Sequence, residues 1–268
     1  MSGRRFDRKT LTIAITVFVV AMNFAPHAQA EELDELLSKA GKQVSSFLEH
    51  LSSVKCTEEV RQLRISKKGK TEEQENSTFN YLLTAHFGGG DLELQESRFE
   101  VNPAGHKKGT PLLVTNGFAT LALIFHPEYQ DSFEFSFAGN AVIEGKDRLT
   151  RVSFRHIVGR KSPTVLLLRG REYPLPLAGD AWIDSQTGVV EHIIVGLSRP
   201  QDDIGLLVLR SDVEYVPTTL PGVGEALWLP AQATIEVETS RRHWINTHNF
   251  INYQQVKAPA QEAVLNKK

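Results

Sequence analysis

The residues that could carry metal or nucleophile chemistry are spread along this sequence rather than grouped. The chain holds nine histidines and one cysteine, Cys56. His243 and His248 are five positions apart in a predicted strand, so their side chains point to opposite faces. His86 and His126 have no second ligand at the spacing of a metal site, and a single cysteine cannot form a zinc cluster. The sequence therefore predicts neither a metal site nor a bound cofactor.

Local motifs of catalysis are also missing from the sequence. It contains no G-x-S-x-G, no G-x-x-x-x-G-K-[ST] and no H-E-x-x-H. The glycines at 88–90 precede a strand pattern rather than the helix of a phosphate site, so they indicate a hairpin turn. We therefore predict no catalytic residue and no enzyme. A hydrolase assembled from distant residues stays open, because triads need no local signature, and its candidates are His126 beside Glu128, or His156.

Composition and charge place the chain among globular proteins without a nucleic-acid partner. Of its 268 residues, 41% are apolar, which is too many for a disordered or collagen-like chain. The formal net charge of −2 lacks the basic excess that nucleic-acid binders show. Cys56 lies in a predicted strand, where a free cysteine usually behaves as a small apolar residue.

Residues 1–30 have the layout of a secretory signal peptide. A basic head from Arg4 to Lys9 precedes an apolar run from Leu11 to Val20, and an Ala-Gln-Ala pattern ends at Ala30. We expect cleavage after Ala30 and a periplasmic or secreted location. The apolar run is shorter than the roughly 20 residues that a bilayer requires, so no membrane span is expected after processing. An uncleaved anchor is the alternative.

Residues 31–257 are predicted to form one domain, with an amphipathic helix followed by strands. Apolar residues recur at spacings of three and four between Leu33 and Leu51, which predicts a helix that packs on a sheet. From there the period changes to two, as in Phe133 to Phe137 and Leu229 to Val237. One-sided alternation in successive strands is typical of an antiparallel sheet with one covered face, here a long meander of about ten strands. Residues 258–268 are expected to be a flexible tail.

One segment interrupts the strand pattern. Residues 118–125, between Gly117 and Pro127, are apolar nearly all round and include helix-forming Ala and Leu. Such a helix must be enclosed by the rest of the protein. Because Pro127 keeps His126 out of the helical region, the helix is expected to end there.

Three stretches carry a resemblance to a known family. The helix Leu33–Leu51 runs directly into a strand at Val54–Ser66, Ala181–Val190 is a hairpin with an Asp and a Gly bracketing its turn, and His248–Tyr253 is the last strand. With this order of elements the chain resembles the LolA-like superfamily of periplasmic lipoprotein carriers and their lipid-binding relatives. The resemblance implies a mainly β fold with about two helices, in which an incomplete, half-closed antiparallel β-barrel wraps around a short buried helix. The loop at 102–113 and an insertion around Arg160–Asp180 are departures from the family.

The function expected from this architecture is that of a non-enzymatic envelope protein, a carrier or sensor that binds a lipid, an acyl chain or a lipidated partner. Its apolar concavity would be lined by residues of the sheet and of the buried helix, which acts as a lid: Phe79, Tyr81, Leu83, Phe118, Leu121, Ile124, Phe125, Phe133, Phe135, Phe137 and Phe154. The alternative is a structural scaffold of the cell envelope with a filled core and a protein partner.

Overall fold

Two helices, one 3₁₀ helix and twelve strands make up the part of the chain that the structure describes. The structure is a computed structural model, and it describes residues 25–51, 53–88, 91–101, 116–143, 146–168 and 171–256. The elements in chain order are α1 (Ala25–His50), β1 (Ser53–Ile65), β2 (Thr71–Gly88), β3 (Asp91–Glu100), the 3₁₀ helix (Thr120–Phe125), α2 (Pro127–Gln130), β4 (Phe133–Ile143), β5 (Lys146–His156), β6 (Val165–Leu168), β7 (Arg171–Pro174), β8 (Leu177–Asp184), β9 (Val190–Leu197), β10 (Leu206–Thr218), β11 (Leu227–Thr239) and β12 (His243–Gln255).

Ten of the strands form one antiparallel sheet, in the order β3-β2-β1-β12-β11-β10-β9-β8-β5-β4. Its end strands, β3 and β4, are not paired with each other, so the sheet is not closed into a barrel. The predicted fold class is therefore confirmed: a mainly β protein whose open antiparallel sheet is consistent with a curved half-barrel. The remaining strands, β6 and β7, pair as a separate hairpin inside the insertion expected around Arg160–Asp180.

The strand order differs from the long meander that the sequence predicts. The strands β3 and β4 follow one another in the chain but lie at opposite edges of the sheet, while β1 pairs with β12. The connection between β3 and β4 therefore has to cross the sheet, and it carries the 3₁₀ helix and α2 across one face. We call residues Gly117–Gln130 the plug, and the face of the sheet that they contact the covered face. The loop expected at 102–113 lies outside the described residues.

Helix α1 packs its apolar stripe inward, as its spacing predicts. Leu36, Ala40, Val44 and Leu48 are all buried. The helix begins at Ala25, so the predicted cleavage after Ala30 would remove its first turn and a half. No helix in the described ranges is long and apolar enough to cross a membrane. The apolar run from Leu11 to Val20 lies outside those ranges, and export of the chain stays a prediction.

The buried helix is present where the sequence places it, but as a 3₁₀ helix. Its apolar side chains face the protein interior, and Ile124 and Phe125 are fully buried. The helix ends at Phe125 because His126 adopts the extended conformation, with φ −69° and ψ 139°, that a following proline favours. His126 then caps α2, since its Nδ1 accepts a hydrogen bond from the backbone N–H of Glu128.

Candidate functional site

Most of the eleven predicted lining residues belong to the hydrophobic core between the plug and the covered face. Four of them form one aromatic cluster around the strand β4, which we call the β4 cluster. The ring centroids of Phe125 and Phe135 are 5.6 Å apart, and Phe154 lies 5.9 Å from Phe125 and 6.0 Å from Phe133. The end of the 3₁₀ helix is thus seated on β4 and β5.

A second cluster holds the other end of the plug. Phe118 contacts Phe250 at 5.3 Å and His248 at 4.8 Å, and Tyr81 contacts Phe250 at 5.1 Å. We call these four residues the β12 cluster. Phe118 and Phe125 therefore attach the plug to the two halves of the open sheet, because β12 and β4 are far apart in the strand order.

The remaining predicted residues lie between or beside these clusters. Leu83, Leu121 and Ile124 are buried in the same core. Phe79 is half-buried, and the guanidinium of Arg98 lies 5.9 Å from its ring centroid. Phe137 is half-buried on β4. Most of the side chains predicted to line a ligand cavity are thus packed where the plug meets the sheet.

An open groove borders the β4 cluster. It has a volume of about 880 Å³ and lies between α1 on one side and α2 and the start of β4 on the other. Phe133 and Phe135 are the two predicted lining residues that reach it, and both also belong to the β4 cluster. Its wall is otherwise formed by residues of the two helices and the turn after them: Leu33, Asp34, Leu37, Ser38, Gly41, Lys42, Ser45, Ser46, Glu49, Pro127, Gln130 and Asp131.

A single carboxylate anchors the start of the plug. Glu96 on β3 accepts backbone hydrogen bonds from Gly117 at 2.9 Å, Phe118 at 3.1 Å and Thr120 at 2.9 Å. The Thr120 hydroxyl and the Tyr81 hydroxyl donate to it as well, at 2.8 and 2.7 Å. Sequence reasoning missed this residue. The available signal was a charged side chain at a position of β3 that the alternation of Leu92 and Leu94 assigns to the covered face.

Two more polar contacts hold the plug in place. The Tyr215 hydroxyl donates to the backbone oxygen of Phe118 at 2.6 Å, and burial raises the pKa of Tyr215 well above its ordinary range, so it remains a donor. The Gln130 Nε2 donates to the oxygen of Leu37 in α1 at 2.9 Å and to that of Phe125 at 2.7 Å. Together with Glu96, these side chains form what we call the latch. It joins the plug to the sheet and to α1.

Next to the β12 cluster lies a buried ionic cluster of three side chains. Glu58 is fully buried and accepts from Arg98 at 2.6 Å, and His248 Nδ1 is 2.8 Å from the same carboxylate oxygen. Burial lowers the pKa of His248 below its ordinary value of 6.5, and Arg98 lowers it further, against the opposing effect of the Glu58 hydrogen bond. The folded protein therefore favours the neutral imidazole.

The lowered pKa of His248 predicts acid sensitivity. Its contribution to stability is complete above the unfolded pKa of about 6.5 and is lost as the pH falls below that value. We expect His248→Gln to reduce the decrease in unfolding free energy between pH 7 and pH 5, by up to about 1.4 kcal/mol per pH unit. Urea titrations at several pH values measure this. Asn249→Gln, exposed on β12 and without a titratable group, is the control and should leave the pH dependence as it is. An unchanged pH profile in His248→Gln would contradict the assignment.

Cys56 behaves in the structure as the small apolar residue that the sequence predicts. Burial raises the pKa of its thiol from 9.0 to about 12. We therefore expect iodoacetamide at pH 8 to label Cys56 in the folded protein roughly a thousandfold more slowly than in urea, since the thiolate is the reactive form. Mass spectrometry of the labelled chain measures the two rates. Comparable rates in the two conditions would show that the thiol is accessible and ionised.

The histidines considered for a hydrolase have structural contacts. Burial lowers the pKa of His126, which caps α2, while the Glu128 carboxylate is paired with Lys161. His156 is buried and lies 5.2 Å from the ring of Phe133. Within the described ranges, no three His, Cys, Asp or Glu side chains are close enough together to hold a metal ion.

Comparison with known proteins finds similarity only at the level of solved structures. No family and no curated protein matches the chain. A crystal structure of a DUF1329 family protein from Desulfovibrio piger aligns with 83% of this chain and 92% of its own, at 10% identity and a TM-score of 0.43. A crystal structure of a domain named for outer membrane lipoprotein sorting, from Vibrio parahaemolyticus, aligns over 85% and 92%, at 10% identity and a TM-score of 0.35. Scores of this size do not establish a common family.

Proposed function

We propose that the chain is an exported, non-enzymatic envelope protein that binds an acyl chain, as a lipid or on a lipidated partner, between the plug and the covered face. The plug is the observation that carries this proposal. Its apolar side chains cover the sheet, yet the plug contributes no strand to the main sheet. The latch and the two aromatic clusters keep it in place, so its displacement would leave every ladder of the sheet intact.

The plug and an acyl chain would gain similar free energies from burial against the covered face. The plug buries Phe118, Leu121, Leu123, Ile124 and Phe125, and at about 1.5–3 kcal/mol per side chain this is worth roughly 10 kcal/mol. An acyl chain gains about 0.8 kcal/mol per buried CH₂, or roughly 11 kcal/mol for a chain of about 14 carbons. A lipid of that length could therefore replace the plug with little net change in buried apolar surface. The groove beside Phe133 and Phe135 is the opening through which it would enter.

Native mass spectrometry of the chain purified from its own compartment tests the proposal. The expected result is an added mass that solvent extraction releases as a lipid, on a protein whose N-terminus follows Ala30. A clean apo mass would overturn the proposal. An N-terminus other than Glu31 would contradict only the predicted cleavage.

A pair of phenylalanine substitutions locates the site. Phe135 is half-buried and borders the groove, whereas Phe99 is 59% exposed on β3 at the opposite edge of the sheet. We expect Phe135→Ala to lower the affinity for a fluorescent C14 fatty acid about tenfold, the size of a lost aromatic contact of about 1.4 kcal/mol. Phe99→Ala is the control and should bind as the unmodified chain does. Equal affinities in the two variants would place the fatty acid elsewhere.

The second candidate function is an envelope scaffold with a filled core. The full burial of Tyr81, Leu83, Ile124 and Phe125 favours it, because tightly packed side chains leave no ready space for a ligand. A stoichiometric envelope protein recovered with the chain, and no lipid, is the result expected for the scaffold.

A further inference from the structure

The two edge strands of the main sheet differ in their number of charged residues. This difference indicates which edge could pair with a strand of another polypeptide. The edge strand β3 carries five charged residues among its ten: Asp91, Glu93, Glu96, Arg98 and Glu100. Charges of this kind protect a free edge from pairing with another chain. The edge strand β4 carries one charge, Glu134, among the eleven residues FEFSFAGNAVI. Within the described ranges, no strand pairs with the outer edge of β4.

The regular part of this edge is short and adjoins the groove. The β4–β5 ladder runs in regular register from Phe133 to Phe137, and a register shift follows before Gly139, whose φ is +107°. Five regular residues are thus available for pairing. We call Phe133–Phe137 the open edge. The groove between α1 and β4 is lined by two of its residues, Phe133 and Phe135.

The groove has the volume of one extended segment. A five-residue strand is about 17 Å long, and the spacings of about 4.8 Å between strands and about 10 Å between layers give it roughly 800 Å³. The groove measures about 880 Å³. A second copy of this chain would bring the same acidic groove and the same Glu134 to this edge, and the like charges disfavour that pairing.

The charge of the groove indicates the chemistry of the occupant. Its wall bears the exposed carboxylates of Asp34, Glu49 and Asp131 against one cation, Lys42. The one charge of the open edge, Glu134, is also acidic and exposed. A peptide with apolar residues facing Phe133 and Phe135 and with a positive net charge is complementary to these groups.

We propose that the open edge binds an extended, basic segment of a partner polypeptide, which adds to β4 as an eleventh strand of the sheet, with its apolar side chains in the groove. Main-chain hydrogen bonds to the free edge would supply the affinity, and the alternate side chains would supply the specificity. This proposal does not rest on acyl-chain binding. Because Pro127 and Gln130 of the plug line the groove, the peptide would bind the state in which the plug is seated on the sheet.

Binding of a synthetic peptide to the full mature chain tests the proposal. The probe is an eight-residue peptide of alternating lysine and valine, followed by fluorescence anisotropy and by hydrogen exchange. We expect new protection of those backbone amides at positions 133–137 that point to the free edge, since the others already donate to β5. We also expect the same peptide with N-methylated valines to bind at least tenfold more weakly, because it has lost backbone donors on one edge.

Matched variants at the two edges complete the test. Glu134→Lys places a cation on the open edge and should weaken the probe at least fivefold, while Gln95→Lys, exposed on β3, should leave its affinity unchanged. Three outcomes would overturn the proposal. They are equal binding of the N-methylated peptide, protection confined to strands other than β4, and a concentration-dependent dimer of the chain alone that Glu134→Lys abolishes.

Discussion

Replacing Gly188 with alanine is expected to lower the free energy of unfolding by about 4 kcal/mol, among the largest effects of a point substitution. Gly188 closes the β8–β9 turn with a φ of +79°, a conformation that favours glycine. A Cβ there would lie 2.5 Å from the carbonyl carbon of Lys39 and 2.8 Å from the backbone nitrogen of Ala40. These are backbone atoms of α1, so the helix itself would have to move off the turn.

The variant Gly159→Ala distinguishes the effect of backbone strain from the effect of a steric contact with α1. Gly159 also has a positive φ, +86°, but a Cβ there would meet nothing within 4 Å. We expect this control to cost about 1–2 kcal/mol, the strain of the left-handed conformation alone. Urea titrations of both variants give the difference, and circular dichroism follows the helix. If Gly188→Ala were no more destabilising than Gly159→Ala, the close packing of α1 on the turn would be wrong.

Glu96→Gln is expected to lower the free energy of unfolding by about 3 kcal/mol and to loosen the plug. The carboxylate accepts five hydrogen bonds, and an amide replaces one accepting oxygen with a donor that would face N–H and O–H groups. Hydrogen bonds to a charged group are worth about 1.5–3 kcal/mol, and a half-buried donor left unmatched adds to the loss.

Hydrogen exchange of the plug distinguishes local loosening from general instability. In Glu96→Gln, we expect exchange at the amides of Gly117, Phe118 and Thr120, which donate to this carboxylate in the native chain, to accelerate more than exchange in the β10–β11 ladder, whose amides follow the free energy of global unfolding. Glu59→Gln is the matched control, because Glu59 is exposed on β1, and it should stay within about 0.5 kcal/mol of the native chain. An equal acceleration at these plug amides and in the β10–β11 ladder would show that Glu96 stabilises the fold as a whole rather than the plug in particular.

Local patterns in the sequence determined the elements. The spacing of Leu36, Ala40 and Val44 predicted the stripe that α1 packs inward, and strict alternation predicted the strands, because a strand with one covered face repeats every two residues. The proline at 127 ended the buried helix at Phe125, two residues earlier, since its ring restricts the backbone of His126. Asp184 and Gly188 likewise marked a turn: the Asp184 carboxylate accepts from the N–H groups of Gln186 and Thr187.

Only the tertiary structure decided how those elements are joined and what covers the sheet. Alternation indicates which face of the sheet a residue occupies, but not which strands lie beside its own. The sequence therefore could not predict that β3 and β4 lie at opposite edges or that β1 pairs with β12. For the same reason Glu96 looked like an ordinary strand residue, although donors from a segment more than twenty positions later converge on it. The predicted lining residues Phe118, Phe125 and Phe154 are buried at the contact between the plug and the sheet. Alternation could not show this contact, because whether facing apolar surfaces enclose space depends on their separation, and this is a property of the assembled fold.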